Sequence, residues 1–80
     1  MNESRLHTAI EGVDVRLSVR GRAVKAVVVR ELLQERFAAG TSPQSWLDCY
    51  RLNAQAIDTV IAQRFRTDPR QPVILKPGDL

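Results

Sequence analysis

The sequence predicts an α+β domain of order β-β-α-α-β, a small mostly antiparallel sheet packed on one short and one long helix. Three observations carry this. Residues 13 to 29 alternate apolar and polar side chains with a period of two. Residues 30 to 66 repeat apolar side chains at the helical period. Val73-Ile74-Leu75 is a short aliphatic run bounded by proline and glycine. Eighty residues without a repeat or linker form one domain, residues 1–80.

In the first strand Val13, Val15, Leu17 and Val19 alternate with Asp14, Arg16, Ser18 and Arg20. After Gly21, the segment from Ala23 to Val29 resumes in β-branched residues. Taking Arg20-Gly21 as a two-residue turn pairs Leu17 with Val24, Val15 with Ala26 and Val13 with Val28, which places the apolar side chains of these pairs on one face. A three-residue loop would divide them between two faces. The same register sets Arg16 opposite Lys25, a like-charge pair that costs roughly 0.2–1 kcal/mol. Residues 1–12 are less patterned; an N-terminal strand or an arm over the sheet is expected there, at Leu6 to Ile10.

A short helix is expected from Arg30 to Ala39, with Val29, Leu33 and Phe37 on one stripe, Leu32 beside it, and Gly40 as its terminating residue. Its start lacks a side-chain cap, a feature typically worth about 1 kcal/mol. Ser42-Pro43 opens a second helix, serine as cap and proline at the first helical position. Leu47, Tyr50, Ala54, Ile57, Ile61 and Phe65 continue it to about Arg66, where Asp68-Pro69 stops it. Such a helix spans about 36 Å, against about 23 Å for a seven-residue strand. It must bend, break or project beyond the sheet. The expected core is Val15, Leu17, Val24, Leu33, Phe37, Trp46, Ile57 and Ile61.

Several residue groups resemble those of one family. Val19-Arg20-Gly21, Val28 through Leu33, Arg36-Phe37 and Ser42-Pro43-Gln44-Ser45-Trp46-Leu47 are similar to a family of short bacterial proteins catalogued as domain of unknown function 1488. The likeness covers about residues 13 to 80 and implies the same order of hairpin, helices and final strand. The chain departs from the pattern at Val29, where a small polar capping residue is usual, and over residues 1–12. The resemblance implies no activity, cofactor or catalytic residue.

Composition narrows the function. An apolar content of 44 % is ordinary for a folded protein. No run is long enough to span a membrane, and Met1-Asn2-Glu3-Ser4-Arg5 has no signal-sequence character, so a cytoplasmic protein is expected. Cys49 by itself makes neither a disulfide nor a metal site, and it lies beside the apolar stripe. His7 has no partner at catalytic spacing, and Glu31 with Glu35 reads as a solvated helix face. No glycine-rich phosphate loop or metal-ligand spacing occurs. The expectation is a non-enzymatic protein without cofactor or metal.

The net charge of +3 is unevenly placed. Residues 14 to 25 sum to +3, residues 64 to 76 to +3, and the remainder to −3. Arg16, Arg20, Arg22, Lys25, Arg70 and Lys76 are therefore the candidate face for an anion or nucleic acid. None of the four aromatics falls on an expected strand, so a stacking surface for single-stranded RNA is not foreseen. A strand-helix-Gly-helix order also resembles ribbon-helix-helix repressors, but the first helix is about one turn short for that fold. The preferred reading is a protein-interaction or homo-oligomerising module, with nucleic-acid binding as the alternative. Its expected contacts are the uncovered side of the sheet, with Val27 and either Ile74 or the Val73/Leu75 pair facing outward, or the end of the long helix from Ile61 to Phe65.

Overall fold

The computed structural model describes residues 3–7 and 9–80. Strands β1 (Glu3–Leu6), β2 (Gly12–Val19), β3 (Arg22–Val29) and β4 (Val73–Leu75) form one sheet in the order β1-β2-β3-β4. The first three are antiparallel, and β4 runs parallel to β3. Between β3 and β4 come α1 (Arg30–Phe37), α2 (Pro43–Leu52) and α3 (Ala54–Thr67), and a 3-10 turn at Pro77–Asp79 follows. The α+β class holds, while the full order is β-β-β-α-α-α-β.

The hairpin adopts the register read from the sequence. Val19 pairs with Arg22, Leu17 with Val24 and Arg16 with Lys25. Arg20 and Gly21 both have positive φ, 50° and 81°, the two-residue turn whose twist matches the strands it joins. Val13, Val15, Val19, Val24, Ala26, Val28, Val73 and Leu75 then enter one core with Leu32, Leu33, Trp46, Leu47, Tyr50, Ile57, Ile61 and Phe65. Leu17 and Phe37, also expected inside, are half-buried against it. Of the alternatives for the last strand, Val73 and Leu75 face the core and Ile74 faces outward.

One open alternative is resolved and one expectation needs correction. The N-terminal strand, foreseen beside an arm over the sheet, forms at residues 3 to 6 on the free side of β2, pairing Glu3 with Arg16 and Leu6 with Val13. The expected long helix is two helices, broken at Asn53 (φ −117°, ψ 19°). At the break the Asn53 N–H is shared between the Cys49 and Tyr50 carbonyls, at 3.2 and 3.0 Å, and its side-chain Nδ2 also donates to the Cys49 carbonyl at 2.8 Å. An unbroken helix of about 36 Å would also exceed the 33 Å longest dimension of the molecule. Folding at Asn53 returns α3 over the sheet, so Ile61 and Phe65 are buried rather than projecting. The break leaves Leu52 86 % exposed.

The ends of α1 also differ from expectation. Val29 provides no side-chain cap, as the sequence indicated. The backbone N–H of Arg30 instead donates to the Glu11 carbonyl at 2.9 Å, so the turn before β2 supplies what Val29 lacks. At the other end the left-handed residue is Ala38 (φ 58°), one residue past the helix, and not Gly40. At Gly40 an added Cβ would stand 3.2 Å from Ser45 Oγ, a tight contact that a small shift of the serine would relieve. The Gly40 carbonyl accepts from Trp46 Nε1 and Gln34 Nε2, both at 3.0 Å. Ser42 caps α2 as expected, its hydroxyl accepting from Ser45 N–H at 3.3 Å.

Two substitutions test this packing by urea denaturation. Ile57→Ala, at a fully buried position, should lower stability by roughly 2–5 kcal/mol; an unchanged transition would contradict the placement of α3. Ala38→Gly relieves a left-handed backbone that disfavours a Cβ and should raise stability by about 0.5–1 kcal/mol, after the entropy cost of glycine.

Candidate functional site: the uncovered sheet face

The alternation that buries one side of the sheet determines what stands on the other. Opposite the helices lie Glu3, Arg5 and His7 from β1 and its end, Asp14, Arg16 and Ser18 from β2, Ala23, Lys25 and Val27 from β3, and Ile74 from β4. The register arranges them in rows across the strands. Glu3, Arg16 and Lys25 form one row, and Arg5, Asp14, Val27 and Ile74 form the next.

A concave pocket of about 360 Å³ opens on this face. Val27 contributes to its lining and is only 4 % exposed although no helix covers it. Arg5, His7 and Asp14 stand on one side, with Arg16, Lys25 and Pro72 on the other. Asp14 is engaged twice: Arg5 Nε lies 3.8 Å from its Oδ2, and His7 Nε2 lies 3.5 Å from its Oδ1. The histidine is oriented by its own turn, because Nδ1 accepts the N–H groups of Ala9 and Ile10, each at 2.9 Å. That leaves the ring proton on Nε2, facing Asp14. His7 thus has a partner that sequence spacing did not reveal, since β1 brings it beside β2. Ser4 also lines the pocket, and its hydroxyl accepts from Arg51 Nε at 3.3 Å.

Arg16 and Lys25 form no ion pair among the described residues. The Lys25 backbone N–H donates to Gln71 Oε1 at 2.8 Å, which ties the segment before β4 to the middle of β3. Arg20 lies in the hairpin turn, and Arg22 stands over the Phe65 ring at 5.8 Å from its centroid. The other two sequence candidates are placed apart from these. Arg70 is clamped by Asp68, with Nη2 to Oδ2 at 2.7 Å and Nε to Oδ1 at 2.9 Å. This pairing holds the Asp68 carboxyl below its usual range, and both side chains are solvent-exposed. Lys76 follows β4 at the end away from the hairpin turn, beyond the pairing of Leu75 with Val28. Sequence counting also included Arg66 in a basic segment without selecting it; the fold places it in a groove with Arg20 and Ser18.

The remaining reactive groups have structural partners. Cys49 is buried against the core, its thiol directed to the Phe37 carbonyl at 3.8 Å and near Asn53 Nδ2 at 3.9 Å. Burial pushes the thiol pKa up, which opposes thiolate formation. Arg30 binds the carboxylates of Glu11 and Glu31 and lies 5.9 Å from the centroid of the Trp46 ring. Tyr50 donates its hydroxyl to Asp58 at 2.6 Å. Among the described residues no group of three or more histidine, cysteine or acidic side chains is placed to hold a metal, and no helix is long and apolar enough to cross a membrane.

No family model, curated protein or solved structure matches the chain. The arrangement of the face itself therefore carries the functional argument.

Proposed function

We propose that the protein is a non-enzymatic interaction module that docks a protein partner, or a second copy of itself, through the uncovered sheet face. The observation that carries this reading is the pocket with Val27 in its lining and charges of both signs around it. A recessed apolar centre inside a polar rim is the anatomy of a protein interface: an apolar anchor side chain enters the recess while the rim selects its neighbours. Ile74, adjacent to Val27 across the β3–β4 pair, extends the apolar centre. Arg5, Asp14, Arg16 and Lys25 provide a rim on which the sign of each charge discriminates between partners.

Chemistry on a bound substrate has less support. His7 is committed through both ring nitrogens, Cys49 is buried, and Glu31 is engaged by Arg30. A cytoplasmic location belongs to this proposal.

The face is tested with Ile74→Glu, which places a carboxylate in the apolar centre, and with Leu52→Glu, which changes an exposed leucine elsewhere. Thermal melting establishes that both variants fold. Sedimentation velocity over a concentration series reads self-association, and affinity capture reads a protein partner. The wild type and Leu52→Glu should show the same association, which Ile74→Glu abolishes. Undiminished association in Ile74→Glu would contradict the assignment of the face.

A further inference from the structure

We infer that the hairpin end of the molecule is a separate site for the phosphate backbone of duplex nucleic acid. This inference does not depend on protein docking at the apolar centre.

The geometry begins with where the neighbouring strands stop. Among the described residues, β1 pairs with β2 as far as Arg16, and β4 pairs with β3 from Ala26 onward. Past Arg16 and Lys25 the described residues of the sheet are those of the hairpin alone, which continues to its turn as two paired strands. Phe65 of α3 lies beneath Arg22 on its core side. On its opposite side stand Ser18 and Ala23, paired across the strands. These small side chains leave the surface low between the Arg16/Lys25 row and the turn, so a rigid backbone can approach closely.

Charge follows the same outline. The ten residues from Arg16 to Lys25 carry four cations and no acid, while the other seventy sum to −1. None of the four forms an ion pair among the described residues, and neither does Arg66 in the adjoining groove. Of the nearby acids, Asp14 is paired with Arg5 and His7 and Asp68 with Arg70, while Asp58, which accepts the Tyr50 hydroxyl, keeps its charge in the groove that Arg20 and Arg66 line. Glu3 alone stands next to Arg16 in the cross-strand row without an ion pair among the described residues. The fold therefore holds Arg16 against Lys25 with little internal compensation, and an external anion supplies it.

The spacing favours a duplex. Arg20 lies four positions beyond Arg16, about 13 Å along the strand. This is comparable to the roughly 12 Å width of the major groove, which admits a two-stranded ribbon. The turn arginines and the Arg16/Lys25 row can then address the two phosphate backbones bordering one groove. Phe37, Trp46, Tyr50 and Phe65 all lie on helices, with three buried and Phe37 half-buried, so the ribbon offers no aromatic surface for single-stranded bases. Recognition is through phosphate, independent of base sequence.

The test measures fluorescence anisotropy of a labelled mixed-sequence DNA duplex of about two helical turns with the full chain, between about 50 and 200 mM salt. The wild type should bind with a log–log salt slope of about −3 to −4, corresponding to roughly four neutralised phosphates. Arg16→Ser combined with Arg20→Ser should weaken binding and flatten the slope by about 2. Arg36→Ser combined with Lys76→Ser should leave the slope unchanged, as should Ile74→Glu, which separates this site from the docking centre. No binding at the lowest salt, equal loss from both cation pairs, or poly-glutamate binding as tight as the duplex would overturn the inference.

Discussion

The arrangement of this protein depends on the register of one hairpin, and that register depends on the turn at Arg20 and Gly21. With a period of two, a shift of one residue would send every valine of β2 to the opposite face. The observed turn places Val13, Val15, Val19, Val24, Ala26 and Val28 against the helices. The same geometry makes the other face charged and forces Arg16 beside Lys25. Burying the aliphatic set outweighs that repulsion: each buried valine contributes roughly 1.5–3 kcal/mol, whereas the like-charge pair costs a fraction of a kcal/mol to about 1.

The turn before β2 carries a second structural burden. β3 passes directly into α1 without a capping side chain, and Glu11 compensates by accepting the Arg30 N–H with its carbonyl and the Arg30 guanidinium with its carboxylate. Arg30 in turn lies over Trp46 of α2, linking the edge turn, the first helix and the second. Gly12 is part of the same junction. A Cβ there would meet the Val28 carbonyl oxygen at 2.5 Å, so the close approach of β2 to the end of β3 requires glycine. Sheet and helices thus meet through backbone contacts as much as through the apolar core.

The parts legible in the sequence were those with a strong local period. Val13 to Val29 specified both the strands and their pairing, and Ser42-Pro43 specified the start of α2. The break at Asn53 was hidden because Tyr50, Ala54, Ile57 and Ile61 keep helical spacing across it; what marks it is the non-helical backbone of one residue, Asn53. β1 was obscure because its four residues alternate only weakly and gain their place from β2. At the candidate site, the Arg16–Lys25 pair followed directly from register. The His7–Asp14 pair, the clamping of Arg70 by Asp68 and the nearness of Arg66 to Arg20 arise from long-range placement or side-chain geometry that no local pattern records.

The central claim is that the chain retains a cross-strand repulsion on an otherwise well-specified hairpin, leaving a cationic face for something outside the fold. Urea denaturation of Lys25→Glu at low and high salt tests it most directly. With Arg16 opposite residue 25, the substitution should raise stability by a few tenths to about 1 kcal/mol at low salt, and the gain should shrink as salt is added. An unchanged or lowered stability at low salt would contradict the account.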